Sequence, residues 1–163
     1  MAWKFENSDP GFLNAMQRSI VEVLFDAIVP SDPIRRIPGA SDAGAVDFLD
    51  LLLGKTKETY FQIPEWRQIY TDGLRVLENY AQEKHGKSIA SFSRNEASDF
   101  LKKMESEELQ VPEDLLEQKP FFVMLWRHCL QGCFCDARWG GNRDSIMWRW
   151  YGYLSETEQV SLG

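Results

Sequence analysis

The chain has 163 residues, of which 44% are hydrophobic and 13% aromatic, so it can bury one sizeable core and we expect a single domain over residues 1–163. Its net charge of −7 and pI near 4.9 provide no general attraction for phosphate backbones or anionic lipids, which argues against nucleic-acid binding. No apolar run approaches the roughly 18 residues that a membrane span needs, so direct membrane insertion is not expected either.

The N-terminal sequence MAWKFENSDP has neither the basic and apolar segments of a secretory signal nor a twin-arginine pair. If the sequence is complete as given, this favours a cytoplasmic protein. Otherwise a signal was removed before the sequence was recorded.

The first third of the chain predicts two helices with a proline-rich loop between them. Apolar side chains recur at spacings of three and four over residues 11–28, which indicates one amphipathic helix ending before Pro30. Residues 29–39 contain three prolines and should form an ordered surface loop. Ser41 and Asp42 can cap a second helix, for which Gly54 is a natural end.

The middle of the chain predicts a long helix and a shorter one. Pro64 suits the first turn of a helix that Gly86 would end, and its inward face is formed by Trp66, Tyr70, Leu74, Leu77 and Ala81. Ser93 and Glu96 have the spacing of a capping box for the next helix, which we expect to fray near residue 107.

The last third predicts one more helix followed by an irregular region. Pro120 should begin this helix, with Phe122, Leu125, Trp126 and Cys129 on its buried side. From Gly132 onward, glycines and aromatic residues are interleaved, which indicates irregular structure. The predicted fold is therefore an all-α domain of five to six helices with an irregular, aromatic- and glycine-rich C-terminal region.

The cysteines and histidines are the residues that could support metal or redox chemistry. Cys129, Cys133 and Cys135 are an odd number of thiols, so at least one stays unpaired within the chain, and one could form a disulfide with a partner subunit. Together with His128 they do not match the usual zinc spacings, and CFC is not a CxxC redox motif. We favour buried structural cysteines in an extended CFC segment, and we assign no metal site. His85 lies at the polar end of the long helix, where it can interact with the helix dipole.

Common catalytic motifs are absent from the sequence. It contains no GxSxG, HExxH, Walker or GxGxxG pattern, and we expect the acidic pairs Asp47/Asp50 and Glu113/Asp114 to be solvated charges. The C-terminal third instead interleaves tryptophans and tyrosines with arginines, the residue types most enriched at interface hot spots. Such a region can be an aromatic mini-core, a partner interface, or both.

Three segments resemble the gluconate 2-dehydrogenase subunit 3 family. They are VPSDPIRRIPGASDAGAVDFLD, IYTDGLRVLENYAQEKHGKSIASFS and LQGCFCDARWGGNRDSIMWRWYGY. The third segment is the most specific, because an aromatic residue, the GGN triplet and a following tryptophan keep the order of the family motif. We call residues 132–152 of this segment the hallmark region.

The resemblance implies a non-catalytic small subunit that stabilises, in a chaperone-like way, a large FAD-dependent catalytic subunit of the glucose–methanol–choline (GMC) class acting on a sugar or glucoside. FAD would then lie in the partner and no cofactor in this chain. An iron–sulfur cluster or haem elsewhere in the complex, or a cytochrome c, would accept the electrons. The location implied by the family is periplasmic. The candidate interface residues are Trp139, Gly140, Gly141, Asn142, Arg143, Trp148 and Trp150.

Two alternatives remain open on the sequence alone. One is a free-standing helical interaction module. The other is a small redox or metal protein that uses His128 and the neighbouring cysteines.

Overall fold

The computed structural model describes residues 10–154, and within them the chain folds into seven α-helices and three 3₁₀ turns with one isolated β-bridge, Asp32–Ile37. The helices are α1 (Ala15–Ile28), α2 (Ala40–Ala43), α3 (Ala45–Gly54), α4 (Ile63–His85), α5 (Arg94–Glu105), α6 (Gln118–Phe134) and α7 (Ile146–Trp150). Five of them are long and two are single turns or little more. The predicted all-α fold is confirmed. Across this part of the chain no helix is long and apolar enough to cross a membrane.

The first helix begins later than the sequence pattern predicts. Asn14 is its N-cap. The Asn14 side chain accepts from the backbone N–H of Gln17, and the Gln17 side chain accepts from the backbone N–H of Asn14, both at 2.9 Å. The preceding residues stay outside the helix because the carboxylate of Asp50 accepts from the backbone N–H groups of Phe12 and Leu13, at 2.7 and 2.6 Å. The predicted start at Gly11 is therefore wrong, whereas the end at Ile28 and the ordered loop after it are confirmed.

The second predicted helix is two helices joined at Gly44. This glycine has φ +68°, a left-handed conformation that ends α2 and begins α3. Asp42 accepts from the Gly39 amide and Ser41 binds Asp26, so neither caps the longer helix as predicted. Gly54 is the last residue of α3 and Lys55 is the cap. Gly54 is required for a different reason: a side chain there would collide with the Pro10 carbonyl oxygen.

The two middle helices agree closely with the sequence predictions. Pro64 lies in the first turn of α4, which ends at Gly86 with φ +67°. Ser93 and Glu96 form the expected capping box of α5. The predicted inward face of α4 is confirmed, with Tyr70, Leu74, Leu77 and Ala81 buried and Trp66 half-buried.

The last long helix is longer than predicted, and it is rotated about its axis so that a different face is buried. It begins at Gln118 and continues to Phe134, past Gly132, where we expected irregular structure. Its buried face carries Phe121, Leu125, His128, Cys129 and Cys133, while Phe122 is half-buried and Trp126 is 47% exposed. The predicted stripe was therefore wrong for Trp126, which points away from the core.

Helices α3 and α6 pack closely against each other, and the hallmark region contacts both of them. A Cβ at Gly132 would lie 2.9 Å from the Cα of Ala45, so the missing side chain allows the two helices to approach. The main core fills the space between α1, α3, α4, α5 and α6, and we call these five helices the helical core. The hallmark region packs on one end of it.

Candidate partner interface

The hallmark region is attached to the end of α6 through Gly141 and Asn142. Gly141 lies directly against the Gly132 carbonyl oxygen, so that a Cβ at this position would collide with the backbone. Asn142 is fully buried, and its amide N–H donates to the same carbonyl at 2.7 Å. Its side chain donates to the Cys135 carbonyl oxygen and accepts from the Met147 amide, both at 2.9 Å. Asn142 thus caps the turn within the chain.

Two further side chains fix the region to its neighbours. The indole Nε1 of Trp148 donates to the Phe134 carbonyl oxygen at 2.9 Å, at the last turn of α6. Arg143 extends over Gly44 and forms an ion pair of 2.6 Å with Asp47 on α3. Through these bonds the irregular segment has a defined position without a core of its own.

The seven predicted interface residues divide into three groups by exposure. Gly141 and Asn142 are buried within the chain, whereas Trp139, Arg143 and Trp150 are exposed, the two tryptophans by 39% and 47%. Gly140 and Trp148 are half-buried. The structure brings all seven together at one end of the molecule, and their contact with a partner stays a prediction.

Aromatic rings dominate the surface around this end. Phe134, Tyr151 and Tyr153 are exposed and adjacent, with ring centroids 6.2 Å and 6.1 Å apart along the series. The Tyr153 ring also contacts the edge of Trp148 at 5.1 Å. The hallmark region therefore presents an aromatic patch outside and uses its glycines and asparagine inside.

An open groove of about 760 Å³ lies beside this patch, between α3, the start of α4 and the last turns of α6. Its walls are largely aromatic and aliphatic. The lining residues are Phe48, Leu52, Thr59, Tyr60, Gln62, Trp66, Arg127, His128, Leu130, Gln131, Phe134, Cys135 and Trp139. Trp139 and Phe134 belong to both the groove and the hallmark region, so the two surfaces are continuous.

His128 forms a buried polar pair with Tyr70 at the floor of the groove. The Tyr70 hydroxyl lies 2.9 Å from Nδ1 of His128, and the edge of Trp66 packs on the imidazole with centroids 4.8 Å apart. Burial, assisted by the neighbouring Arg127 charge, lowers the pKa of His128 to about 4. Burial also raises the pKa of Tyr70 well above its usual range. Both groups are therefore neutral at physiological pH.

The three cysteines are free thiols in the structure. Cys129 and Cys133 are buried one helical turn apart in α6, and Cys135 follows as the C-cap, so the predicted extended geometry of CFC is wrong. The hydrogen bond with Cys133 and burial raise the pKa of Cys129, and burial raises the pKa of Cys135 to about 11. Thiols with raised pKa values are weak nucleophiles. Over residues 10–154, no group of three or more His, Cys, Asp or Glu is placed to hold a metal ion. A disulfide to a partner stays a prediction.

The acidic pair on α3 is structural and only partly solvated, which differs from the expectation for Asp47 and Asp50. Arg18 bridges both carboxylates, at 2.5 Å from Asp47 and 2.7 Å from Asp50. Asp47 also binds Arg143, and therefore joins α1, α3 and the hallmark region. Periodicity places these two carboxylates on the outer side of a helix. Their ion pairs could not be predicted, because the arginine partners are distant in sequence.

The groove was missed by sequence reasoning. Tyr60 precedes α4, Trp66 was expected to face the core, and Arg127 follows the tryptophan of α6 that is turned outward. The run of aromatic residues around α4, together with Arg127 and His128, was the available signal. It could not be interpreted without the packing of α3 on α6.

Comparison with protein families gives one match. The model of a family described as gluconate 2-dehydrogenase subunit 3 matches residues 15–153, which is well over half of the chain and includes the groove and the hallmark region. No curated protein and no solved structure matches the chain significantly.

Proposed function

The chain belongs to the gluconate 2-dehydrogenase subunit 3 family, and from this membership we propose that it is a non-catalytic small subunit that binds and stabilises a larger, FAD-containing dehydrogenase subunit of the GMC class. FAD belongs to the partner in this proposal. The electrons pass on to an iron–sulfur cluster or haem elsewhere in the complex, or to a cytochrome c.

The exposed aromatic side chains of the C-terminal region are the observation that carries the proposal. Trp139, Trp150, Tyr151 and Tyr153 are 39–63% exposed although the chain has a well-filled core. Aromatic side chains that become buried at an interface contribute large amounts of binding free energy, since each removes a large apolar area from water.

Fixed placement of these rings also favours binding. The hydrogen bonds of Asn142 and Trp148 hold the region before any partner arrives, so less conformational entropy is lost on association. A subunit that binds only the folded form of its partner raises the partner's stability by mass action. This mechanism requires no reactive group in the small subunit.

The proposal is tested by co-expressing the chain with an FAD-dependent dehydrogenase of the GMC class from the same genome. We expect co-purification, and a higher unfolding temperature of the flavoprotein, followed by FAD fluorescence, in the complex than alone. Absence of a complex, or a flavoprotein that is equally stable and active without this chain, would contradict the proposal.

A matched pair of tryptophan substitutions locates the interface. Trp139→Ala should raise the Kd at least about tenfold, as expected for an aromatic hot spot. Trp126→Ala is the control, because Trp126 is 47% exposed on the face of α6 next to α5, away from the hallmark region. We expect the control to change the Kd less than about threefold.

A further inference from the structure

The groove beside the hallmark region differs in charge from the rest of this acidic chain. The net charge of the chain is −7, yet among residues 10–154 no carboxylate lines the groove and Arg127 is the one charged residue that does. Arg127 is exposed and forms no ion pair with any residue in the described part of the chain. An unpaired guanidinium at an apolar groove is complementary to a carboxylate, which it can bind in bidentate fashion.

A second donor lies at the groove floor. The fully buried Tyr70 hydroxyl has Nδ1 of His128 as its hydrogen-bond partner, and the tautomer that satisfies the hydroxyl proton is the one in which Nδ1 accepts it. The neutral imidazole then carries its own proton on Nε2. His128 is 1% exposed and lines the groove, and this Nε2–H has no acceptor within residues 10–154. A buried donor without an acceptor is costly, and a ligand oxygen would remove that cost.

The groove is too large and too apolar to be filled by a small anion alone. Tyr60, stacked on Trp66 with centroids 5.1 Å apart, forms one side, and Phe134 with Trp139 forms the other. A volume of about 760 Å³ is large for one carboxylate and suits several apolar side chains in addition. Occupants of this kind are amphipathic segments that place anchoring side chains into a groove.

We infer that the groove binds an apolar segment of the large subunit carrying one Asp or Glu, whose carboxylate pairs with Arg127 and accepts from Nε2 of His128. This inference rests on the proposed function and specifies which part of the partner is recognised. The groove shares Phe134 with the aromatic patch and includes Trp139 of the hallmark region, so one partner surface can cover both.

Cross-linking in the co-expressed complex identifies the occupant. A photo-activatable amino acid replaces Gln131, which is exposed and lines the groove. We expect mass spectrometry to find the cross-link in a predominantly apolar peptide of the flavoprotein that contains Asp or Glu. A cross-link to a second copy of this chain, to a flavoprotein peptide without a carboxylate, or to nothing in an intact complex would overturn the inference.

Charge reversal tests the pairing. Arg127→Glu should raise the Kd for the flavoprotein at least about tenfold, since it places two carboxylates together. Lys103→Glu, at an exposed position of α5, makes the same change in net charge and should alter the Kd less than about threefold. Replacing the cross-linked Asp or Glu of the partner by Lys should restore binding to the Arg127→Glu variant. Failure of this rescue, or equal effects of the two reversals, would contradict the inference.

The two proposals fail in different ways. If the wild-type chain forms no complex with the flavoprotein, the proposed function fails and the inference fails with it. If the complex forms and Trp139→Ala weakens it while Arg127→Glu does not, the aromatic patch is the interface and the groove is not part of it.

Discussion

The helical core and the hallmark region are stabilised in different ways. Helices α1, α4 and α5 each bury a stripe of aliphatic and aromatic side chains, so their free energy of folding is distributed over many apolar contacts. In the part of the hallmark region that follows α6, residues 135–152, only Gly141, Asn142 and Met147 are in contrast buried. A few directional hydrogen bonds from Asn142 and Trp148 and the Arg143 ion pair hold this region in place.

The helical core therefore provides the stability of the fold, whereas the hallmark region provides an exposed aromatic surface. A segment without its own core can expose aromatic rings at defined positions only if a stable neighbour supplies its hydrogen-bond partners. Here the neighbour is the last turn of α6, with the carbonyl groups of Gly132, Phe134 and Cys135. The hallmark region should therefore depend on the helical core, whereas the core should not depend on it.

The largest expected effect is that of a cavity in the helical core. Leu24 on α1 is fully buried, and Leu24→Ala should lower the free energy of unfolding by about 3–4 kcal/mol through lost burial and the cavity that remains. Urea denaturation measures this change. Because the hallmark region depends on the core, amide hydrogen exchange should accelerate in both regions.

Met16→Ala on the same helix is the matched control. Met16 is 54% exposed, and its truncation should change the free energy of unfolding by less than about 0.5 kcal/mol. If Leu24→Ala left exchange in residues 135–154 unchanged, the hallmark region would be stable without the core and the comparison would be wrong.

The next largest expected effect is a pH dependence of the free energy of unfolding, which arises from His128 on the buried face of α6. Its pKa is about 4 in the folded chain against an ordinary value of 6.5, so the unfolded chain binds more protons between these pH values. Stability from this group is complete above pH 6.5 and is lost as the pH falls toward 4. His128→Gln removes the titration and keeps a hydrogen-bonding group for Tyr70. From pH 7 to 4.5, the variant should lose about 2.5 kcal/mol less than the wild type.

Urea denaturation of both proteins at the two pH values gives this difference directly. Carboxylates titrate in the same range, but they are common to both proteins and cancel in the comparison. Parallel losses in the wild type and in His128→Gln would mean that His128 is protonated without cost in the folded chain, contrary to its burial.

Most of the helical core was predictable from sequence because its signals are local. The start of α5 at Ser93 and Glu96 and the end of α4 at Gly86 depend on residues within one turn of the helix end. The start of α1 was not predictable, since it depends on the carboxylate of Asp50, which is 37 or 38 residues away from the amides it binds.

The hallmark region was predictable in location and not in its internal structure. The GGN triplet and its flanking tryptophans identified the hallmark region, and the structure shows that Gly141 and Asn142 serve the attachment of that region to α6. The groove could not be found, because it forms only where α3 packs on α6 and because Trp126, not Arg127, is turned away from it. Helical periodicity does not fix the rotation of a helix that carries apolar side chains on most of its surface.

A smaller effect on global stability is expected when the attachment of the hallmark region to the helical core is weakened. Asn142→Ala leaves the Cys135 carbonyl and the Met147 amide without their side-chain partner, which should cost about 2 kcal/mol locally. Hydrogen exchange should therefore accelerate in residues 135–154 and not in α1, α4 or α5. Binding to the flavoprotein should weaken as the exposed tryptophans lose their fixed positions.

The neighbouring Arg143→Ala variant separates attachment by buried hydrogen bonds from attachment by surface charge. The Arg143–Asp47 pair has side chains that are 57% and 37% exposed, and exposed ion pairs contribute less than about 1 kcal/mol. Arg143→Ala should accordingly leave exchange in residues 135–154 close to that of the wild type. If it accelerated exchange as much as Asn142→Ala, the ion pair to α3 would be the main attachment. The interface should then become sensitive to salt, which the buried asparagine would not explain.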